Sequence, residues 1–472
     1  MTATLPAPPP APPPAPASVL PASGSRRTAQ RGWSLYDVAN SAFMTTLVAA
    51  VAGPYLLALT NAAATLGPTG NKIVHVAGFA VAPGAFVAYL TTAAVILQVI
   101  LLPILGAVVD ATGNKQRWIT GAALTGATLT AILAVLPGSM WFAAGVTYAL
   151  AVVAFGAALV PYNACLPDIA DEAERDRVSA RGFAYGYAGG GLLLAVNLAF
   201  LQLGPAALGI SKDLAVRIDI ASVAIWWAVF TLISMRILGK HLPEAASTSS
   251  VTSALRHSLT DLKASLEELL RYKQATRFLG AFILFGNGVQ GVIGLAGVFI
   301  VHELFLANGQ SESDGTPFVM VLVLVIQFCA VPGALLFARL ADRIGTKRAI
   351  VTSLGLWIAV VTYAFALLDS KPQALGLAVA IAVVLGGTQS LSRSLFTKMI
   401  PSGREASWLS LYNLAERGTS GIATLTFGIA LTLTGSYRAG LASLLILFVL
   451  GTAVLLLTDT DRAVAQAKTG LH

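Results

Sequence analysis

Charge is what this chain is short of. Only 11% of its 472 residues are Asp, Glu, Lys or Arg, against about 25% in soluble domains. With 56% hydrophobic residues and a mean hydropathy of +0.76, that deficit excludes an ordinary soluble domain and puts the chain in a bilayer. Cysteine is nearly missing as well: Cys165 and Cys329 are the two present, so a disulfide framework is out of reach. The five histidines, His75, His241, His257, His302 and His472, are scattered. No zinc spacing, phosphate-binding loop, dinucleotide fingerprint or nucleophile elbow occurs. These gaps argue against an enzyme, a resident metal and any cofactor. The formal net charge of +8 would suit nucleic acid, but its distribution follows membrane topology, and no nucleic-acid partner is expected.

What is present is apolar and periodic. Residues 1–30 form a Pro/Ala-rich tract without the apolar core of a signal peptide, and such a composition is expected to stay disordered. Windows of about 19 residues then place membrane helices near 33–59, 85–108, 118–137, 140–163, 181–204 and 215–238. After a polar stretch the second set falls near 276–302, 317–340, 350–368, 373–396, 407–434 and 437–458. The pattern predicts an all-α membrane protein with twelve transmembrane helices in two pseudo-symmetric six-helix bundles, 31–238 and 276–458, followed by a tail at 459–472. The linker, 239–275, carries Leu255, Leu259, Leu262, Leu266 and Leu269 at helical spacing and is expected to lie as an amphipathic helix on the membrane surface.

Lys and Arg orient the chain. With the N-terminus in the cytoplasm, 24 of the 30 fall on the cytoplasmic side, five fall outside (Lys72, Lys212, Arg217, Lys371 and Arg438), and Arg417 lies within a span. This asymmetry predicts both termini in the cytoplasm of a multi-pass protein of the cell (inner) membrane.

Polar residues inside apolar spans are costly and mark function or pairing. The first helix of one half carries Asp37 and Asn40, and the first helix of the other carries Asn287 and Gln290 at a constant offset. At 1.5 Å per residue, Asn287 and Gln290 lie about 16–21 Å into their span, near the midplane where transporter sites sit. Glu416 is about as deep in the eleventh span, and Asp37 is shallower, roughly 8 Å from the cytoplasmic end. Interhelical hydrogen bonding is the plain alternative for the amides, and an ion pair with Arg393 is the plain alternative for Glu416. Glycines at 182, 186 and 190 in the fifth span suit close helix packing.

A second repeat is more specific. Gly106, Asp110, Gly113, Lys115 and Arg117 follow the second span, and Ala338, Asp342, Gly345, Lys347 and Arg348 follow the eighth. This loop pair resembles the signature of the major facilitator superfamily, with Ala338 in place of the first glycine. It predicts a cytoplasmic gate built from Asp110, Gly113, Arg117, Asp342, Gly345 and Arg348, the aspartates capping or pairing and the basic residues meeting lipid headgroups.

Three further stretches, Trp33–Phe43, Arg181–Gly191 and Gly386–Ser394, the last leading to Leu411-Tyr412-Asn413, resemble the family of autophagy-related vacuolar amino-acid effluxers and their bacterial relatives. The resemblance implies export of a small solute, an amino acid, by alternating access in a monomer. The candidate substrate or proton site is then Asp37, Asn40, Asn287, Gln290, Tyr412, Asn413 and Glu416, with Asp37 or Glu416 as the proton-coupling carboxylate. A drug or sugar carrier is the alternative transporter, although the fourth span lacks the buried arginine usual in drug–proton antiporters. A membrane sensor or scaffold that carries nothing is the alternative from another class.

Overall fold

In lipid every backbone N–H and C=O must be paired within the chain, which leaves helices as the way for these apolar runs to cross. The computed structural model describes residues 23–66, 72–76, 78–81, 83–240, 242, 266–310, 312–418, 420–434 and 436–469. The first crossing is composite: α1 (Ser23–Ala42) passes through a π-helical stretch, Phe43–Val51, into α2 (Ala52–Ala63). Next come α3 (Pro83–Thr112), α4 (Lys115–Val135), α5 (Trp141–Ala164), the single turn α6 (Leu166–Ile169), α7 (Arg175–Leu208) and α8 (Lys212–Leu238). The second half holds α9 (Lys273–Leu304), α10 (Glu312–Ile344), α11 (Thr346–Leu367), α12 (Lys371–Lys398), α13 (Glu405–Gly418), α14 (Ser420–Thr434), α15 (Tyr437–Leu456) and the tail helix α16 (Thr460–Thr469). Among the described residues eleven helices are long and apolar enough to cross a membrane. Placed end to end, α13 and α14 supply the twelfth crossing.

Three departures from the sequence expectation have physical reasons. The helices outrun their apolar windows, as α7 does by starting at Arg175, because charged side chains can sit in water while the backbone stays helical. Likewise α1 begins at Ser23, inside the stretch read as tail, and carries Arg26 and Arg31 as part of the helix. The loop after α2, read only as a long connection, forms a three-stranded antiparallel sheet of β1 (Thr65–Leu66), β2 (Lys72–Val76) and β3 (Phe79–Val81). There the alternating Ile73, His75, Phe79 and Val81 suit a pleated pair. Most of the amphipathic linker, 243–265, and the first 22 residues lie outside the described residues; the described end, 266–271, is helical, with Leu269 buried.

The π stretch ends just ahead of Pro54, and its last bond runs from the Ala52 N–H to the Leu47 carbonyl. Proline has no N–H for the preceding turn and crowds its carbonyl, so a widened turn before it relieves the clash.

Each half has its own aromatic core, one around Trp33, Phe43, Tyr162 and Trp227, the other around Phe278, Trp357, Trp408 and Phe448. The second core also takes in Leu102, Val109, Val160 and Ala164 from the first half, where α3 and α5 lean on α13. Both described ends reach the same side: Arg26 pairs with Asp171 at 3.0 Å, and Lys468 pairs with Glu172. An even number of crossings requires this.

Candidate functional site

Between the halves lies a cavity of about 1040 Å³. Asp37, Asn163 and Arg393 line it at one end; His302, Leu306 and Tyr437 line it at the other. Because α9 starts beside the tail, with the Asp459 N–H donating to Gln274, its far end at His302 lies away from the termini. The cavity therefore opens on the side opposite the termini and is closed beneath Arg393.

Arg393, on α12, is the centre of the floor and is only 4% exposed. Its Nε donates to Ser179 Oγ at 3.0 Å, Nη2 to the Ser179 carbonyl at 3.0 Å, and Nη1 to Asn163 Oδ1 at 3.3 Å. The guanidinium stacks over Phe183 and Trp33, 4.3 and 4.8 Å from the ring centroids. Nη2 stands 3.9 Å from Asp37 Oδ2. That carboxylate, on α1, also accepts from the Tyr162 hydroxyl at 2.5 Å. Thus Arg393, counted from sequence among the cytoplasmic cations, is a buried charge facing the aspartate of the other half. A second bridge joins the halves where the Tyr187 hydroxyl donates to Gln389 Oε1 at 2.7 Å.

Asp37, Asn40, Gln290, Tyr412 and Glu416 all line the cavity. Gln290 and Glu416 also share a small recess with Gln389 and Phe282. Asn287 and Asn413 are not among the lining residues. The Asn287 amide turns back along α9, its Nδ2 donating to the Ile283 carbonyl at 2.5 Å, while Asn413 Oδ1 accepts from Asn163 at 3.1 Å. The pseudo-symmetric match of Asp37 with Asn287 therefore holds in sequence but not in exposure to the cavity. Sequence reasoning missed Tyr162, Asn163, Tyr187 and Gln98. Polar residues at cavity depth were the available signal, and Gln98 and Asn163 carried it. The glycine stripe packs on α1 as expected: a Cβ at Gly182 would fall 2.4 Å from Asp37 Oδ2, and one at Gly186 2.5 Å from Ser41 Oγ.

The paired loops lie on the closed side. Asp110 crosses to the other half and caps α13, accepting from the Ala406 and Ser407 N–H groups at 2.9 and 2.7 Å and from Ser407 Oγ at 2.6 Å. Gly106 permits the approach, since a Cβ there would fall 2.7 Å from the Ala406 carbonyl oxygen. In the second copy Asp342 accepts from Arg177 Nε at 2.8 Å, and Ala338 rests on Ala180 of α7. Gly113 and Gly345 do not serve close packing. Both adopt positive φ, +67° and +89°, and end α3 and α10 in the conformation glycine tolerates best. Arg117 and Arg348 are exposed; Arg117 contributes its backbone N–H, which donates to Asn114 Oδ1. The half-buried basic residues with partners are the lysines instead, Lys115 on Asp168 at 2.8 Å and Lys347 on the Thr458 carbonyl at 2.7 Å. Next to these, Lys398 Nζ and Thr346 Oγ1 both donate to Asp176 across the halves, at 2.9 and 2.6 Å.

Comparison with known proteins agrees with this architecture. The family model described as "Vacuole effluxer Atg22 like" matches residues 25–468. An uncharacterized MFS-type transporter of Bacillus subtilis, YxiO, is 26% identical over 94% of this chain and 98% of its own length. Autophagy-related protein 22-1 of Phaeosphaeria nodorum is 24% identical over 84% of this chain and 80% of its own. Among solved structures, the Escherichia coli fucose:proton symporter FucP superposes with a TM-score of 0.64 at 14% identity, covering 93% of this chain and 99% of FucP. A bacterial homologue of the iron transporter ferroportin, in its outward-facing state, gives 0.63 at 14% identity, over 92% of this chain and 98% of that one. The chain belongs to the Atg22-like effluxer family and is an integral, multi-pass transporter of the major facilitator superfamily.

Proposed function

We propose that this transporter exports an amino acid by alternating access, coupled to protons through the carboxylates that line its cavity. The observation that carries the reading is the Asp37–Arg393 pair on the cavity floor, drawn from opposite halves. A zwitterion presents a carboxylate and an ammonium, and it can exchange partners with such a pair without leaving a charge unmatched in a low-dielectric site. Arg393 receives the carboxylate; Asp37 and Glu416 offer the ammonium or a proton a place. Protonation of Asp37 weakens the bridge between the halves and lets the closed side part.

The gate on that side is Asp110 on α13 together with Asp342 on Arg177. The excess of basic residues supports cytoplasmic termini in a cell membrane, so the open cavity faces outward. The two bundles, 31–238 and 276–458, then rock about the linker, as a single-chain unit embedded in lipid. Counterflow in proteoliposomes, screened across the standard amino acids with and without an imposed pH gradient, tests this. Exchange of at least one amino acid is expected, with Asp37→Asn abolishing concentrative transport and Glu416→Gln keeping exchange while losing gradient dependence. No exchange of any amino acid would overturn the substrate; wild-type transport indifferent to the gradient would overturn the coupling.

A further inference from the structure

A guanidinium is a planar fork of N–H donors, reached by a neighbour through its faces, its side edge or its end edge. Aromatic rings take up the faces of Arg393, Phe183 at 4.3 Å and Trp33 at 4.8 Å. The side edge, Nε with Nη2, is used by one residue of the opposite half. Ser179 accepts from Nε on its hydroxyl and from Nη2 on its carbonyl, each at 3.0 Å. The end edge, Nη1 with Nη2, is held more loosely. Asn163 Oδ1 is 3.3 Å from Nη1, and Asp37 Oδ2 is 3.9 Å from Nη2, beyond hydrogen-bond reach. Asp37, Asn163 and Arg393 all line the cavity, and Ser179 lies behind them, fully buried.

The Ser179 hydroxyl is itself oriented. Its proton goes to the Ser390 carbonyl at 2.8 Å, which leaves the oxygen's lone pairs to accept from Arg393. Ser390 and Arg393 stand on one turn of α12, so a single hydroxyl of α7 grips both the backbone and the side chain there. Helix packing does not ask for this. The next residue, Ala180, meets α10 through Ala334 and Ala338 without any polar atom. A hydroxyl that accepts from a charged donor makes one of the stronger hydrogen bonds.

We infer that Ser179 is a positioning residue for transport. It occupies the side edge of Arg393 and leaves the end edge to the cavity, where the carboxylate of an amino-acid substrate displaces Asn163 and binds Nη1 and Nη2 together. Asn163, once displaced, keeps its other bond, from Nδ2 to Asn413 Oδ1. The inference rests on the amino-acid reading above, with Arg393 as the carboxylate's partner.

Competition counterflow of the full-length protein in proteoliposomes tests it. The labelled probe is a standard amino acid that the wild type exchanges, challenged with the same amino acid unlabelled and with its primary amide, which lacks the carboxylate. The wild type is expected to favour the acid over the amide by about tenfold or more in half-inhibiting concentration. Ser179→Ala lets the guanidinium turn and should cut that preference by about three- to tenfold. Continued exchange reports folding; where exchange stops, ligand-induced shifts in the Tm of the purified variant supply the same ratio. A role in packing alone leaves the ratio unmoved, because acid and amide share every other contact. Arg393→Lys has no side edge, so adding Ser179→Ala to it should change its preference by less than about twofold. If Ser179→Ala keeps the wild-type preference, or shifts it equally in both backgrounds, the role of Ser179 falls and the amino-acid reading stands. A wild type that exchanges amino acids without telling acid from amide overturns the carboxylate's place on Arg393, and this inference with it. If none of the standard amino acids exchanges, the amino-acid reading itself falls.

Discussion

Asp37 is held from three directions: Tyr162 donates to it, Arg393 faces it, and Gly182 leaves it room. Because its two polar partners fix it, the carboxylate cannot retreat from a methyl group placed 2.4 Å from Oδ2 and 2.6 Å from the Trp33 ring. Gly182→Ala should therefore destabilise by about 1–3 kcal/mol, as overpacking does. Gly186→Ala comes closest to the rotatable hydroxyl of Ser41, with Asp37 at ordinary contact distance, and should cost less. Thermal melts of the two purified variants check the order, and equal midpoints would contradict it. Arg393 makes a parallel case. Lysine preserves the charge but not the planar fork that serves Ser179, Asn163 and the aromatic faces together. Arg393→Lys is expected to lower transport by tenfold or more, about 1.4 kcal/mol, without preventing insertion. Wild-type rates in the lysine variant would mean that charge alone suffices.

The helix ends do the joining at the scale of elements. The first N–H groups of α13 have no carbonyl of their own helix to meet, and Asp110 meets two of them from the opposite half. Such a cap is worth about 1 kcal/mol, so Asp110→Ala should shift the balance roughly fivefold toward the state open on the terminal side. Cross-linking gives a direct reading. Arg177 of α7 and Asp342 of α10 face each other across the halves at 2.8 Å. In a background lacking Cys165 and Cys329, Arg177→Cys with Asp342→Cys should be joined by a short, cleavable bifunctional thiosulfonate that stops transport, and reductant should restore it. Asp110→Ala added to that pair should slow the cross-linking. If the cross-linked protein transports normally, α7 and α10 do not part during the cycle.

Topology is decided by the whole molecule. Both described ends meet the loop around Asp171 and Glu172, while Asn308 sits exposed beyond α9. Asn308→Cys is expected to react with a membrane-impermeant maleimide on intact cells, and Thr469→Cys only after permeabilisation. Reaction of both from outside would break the twelve-span arrangement.

Much of this was legible along the chain because it depends on local composition. Apolar runs against scarce charge determine the spans. The basic bias sets the expected orientation. The spacing from Asp to Gly determines where α3 and α10 stop, since a left-handed terminator needs only its own backbone. The glycine stripe of α7 likewise announces close packing without naming what approaches. What the tertiary structure alone decided is who meets whom. Tyr162 lies 125 residues from Asp37, and Ser407 lies 297 from Asp110; no periodicity encodes such pairings. Arg393, counted with the cytoplasmic cations and weighed as a partner for Glu416, faces Asp37 once the neighbouring half closes over it, and Arg117 looked like the gate until Lys115 took the half-buried Asp168. Asn287 and Asp37 match in sequence, yet one bonds its own helix and the other faces the cavity, because a helix's rotation is set by the elements packed around it.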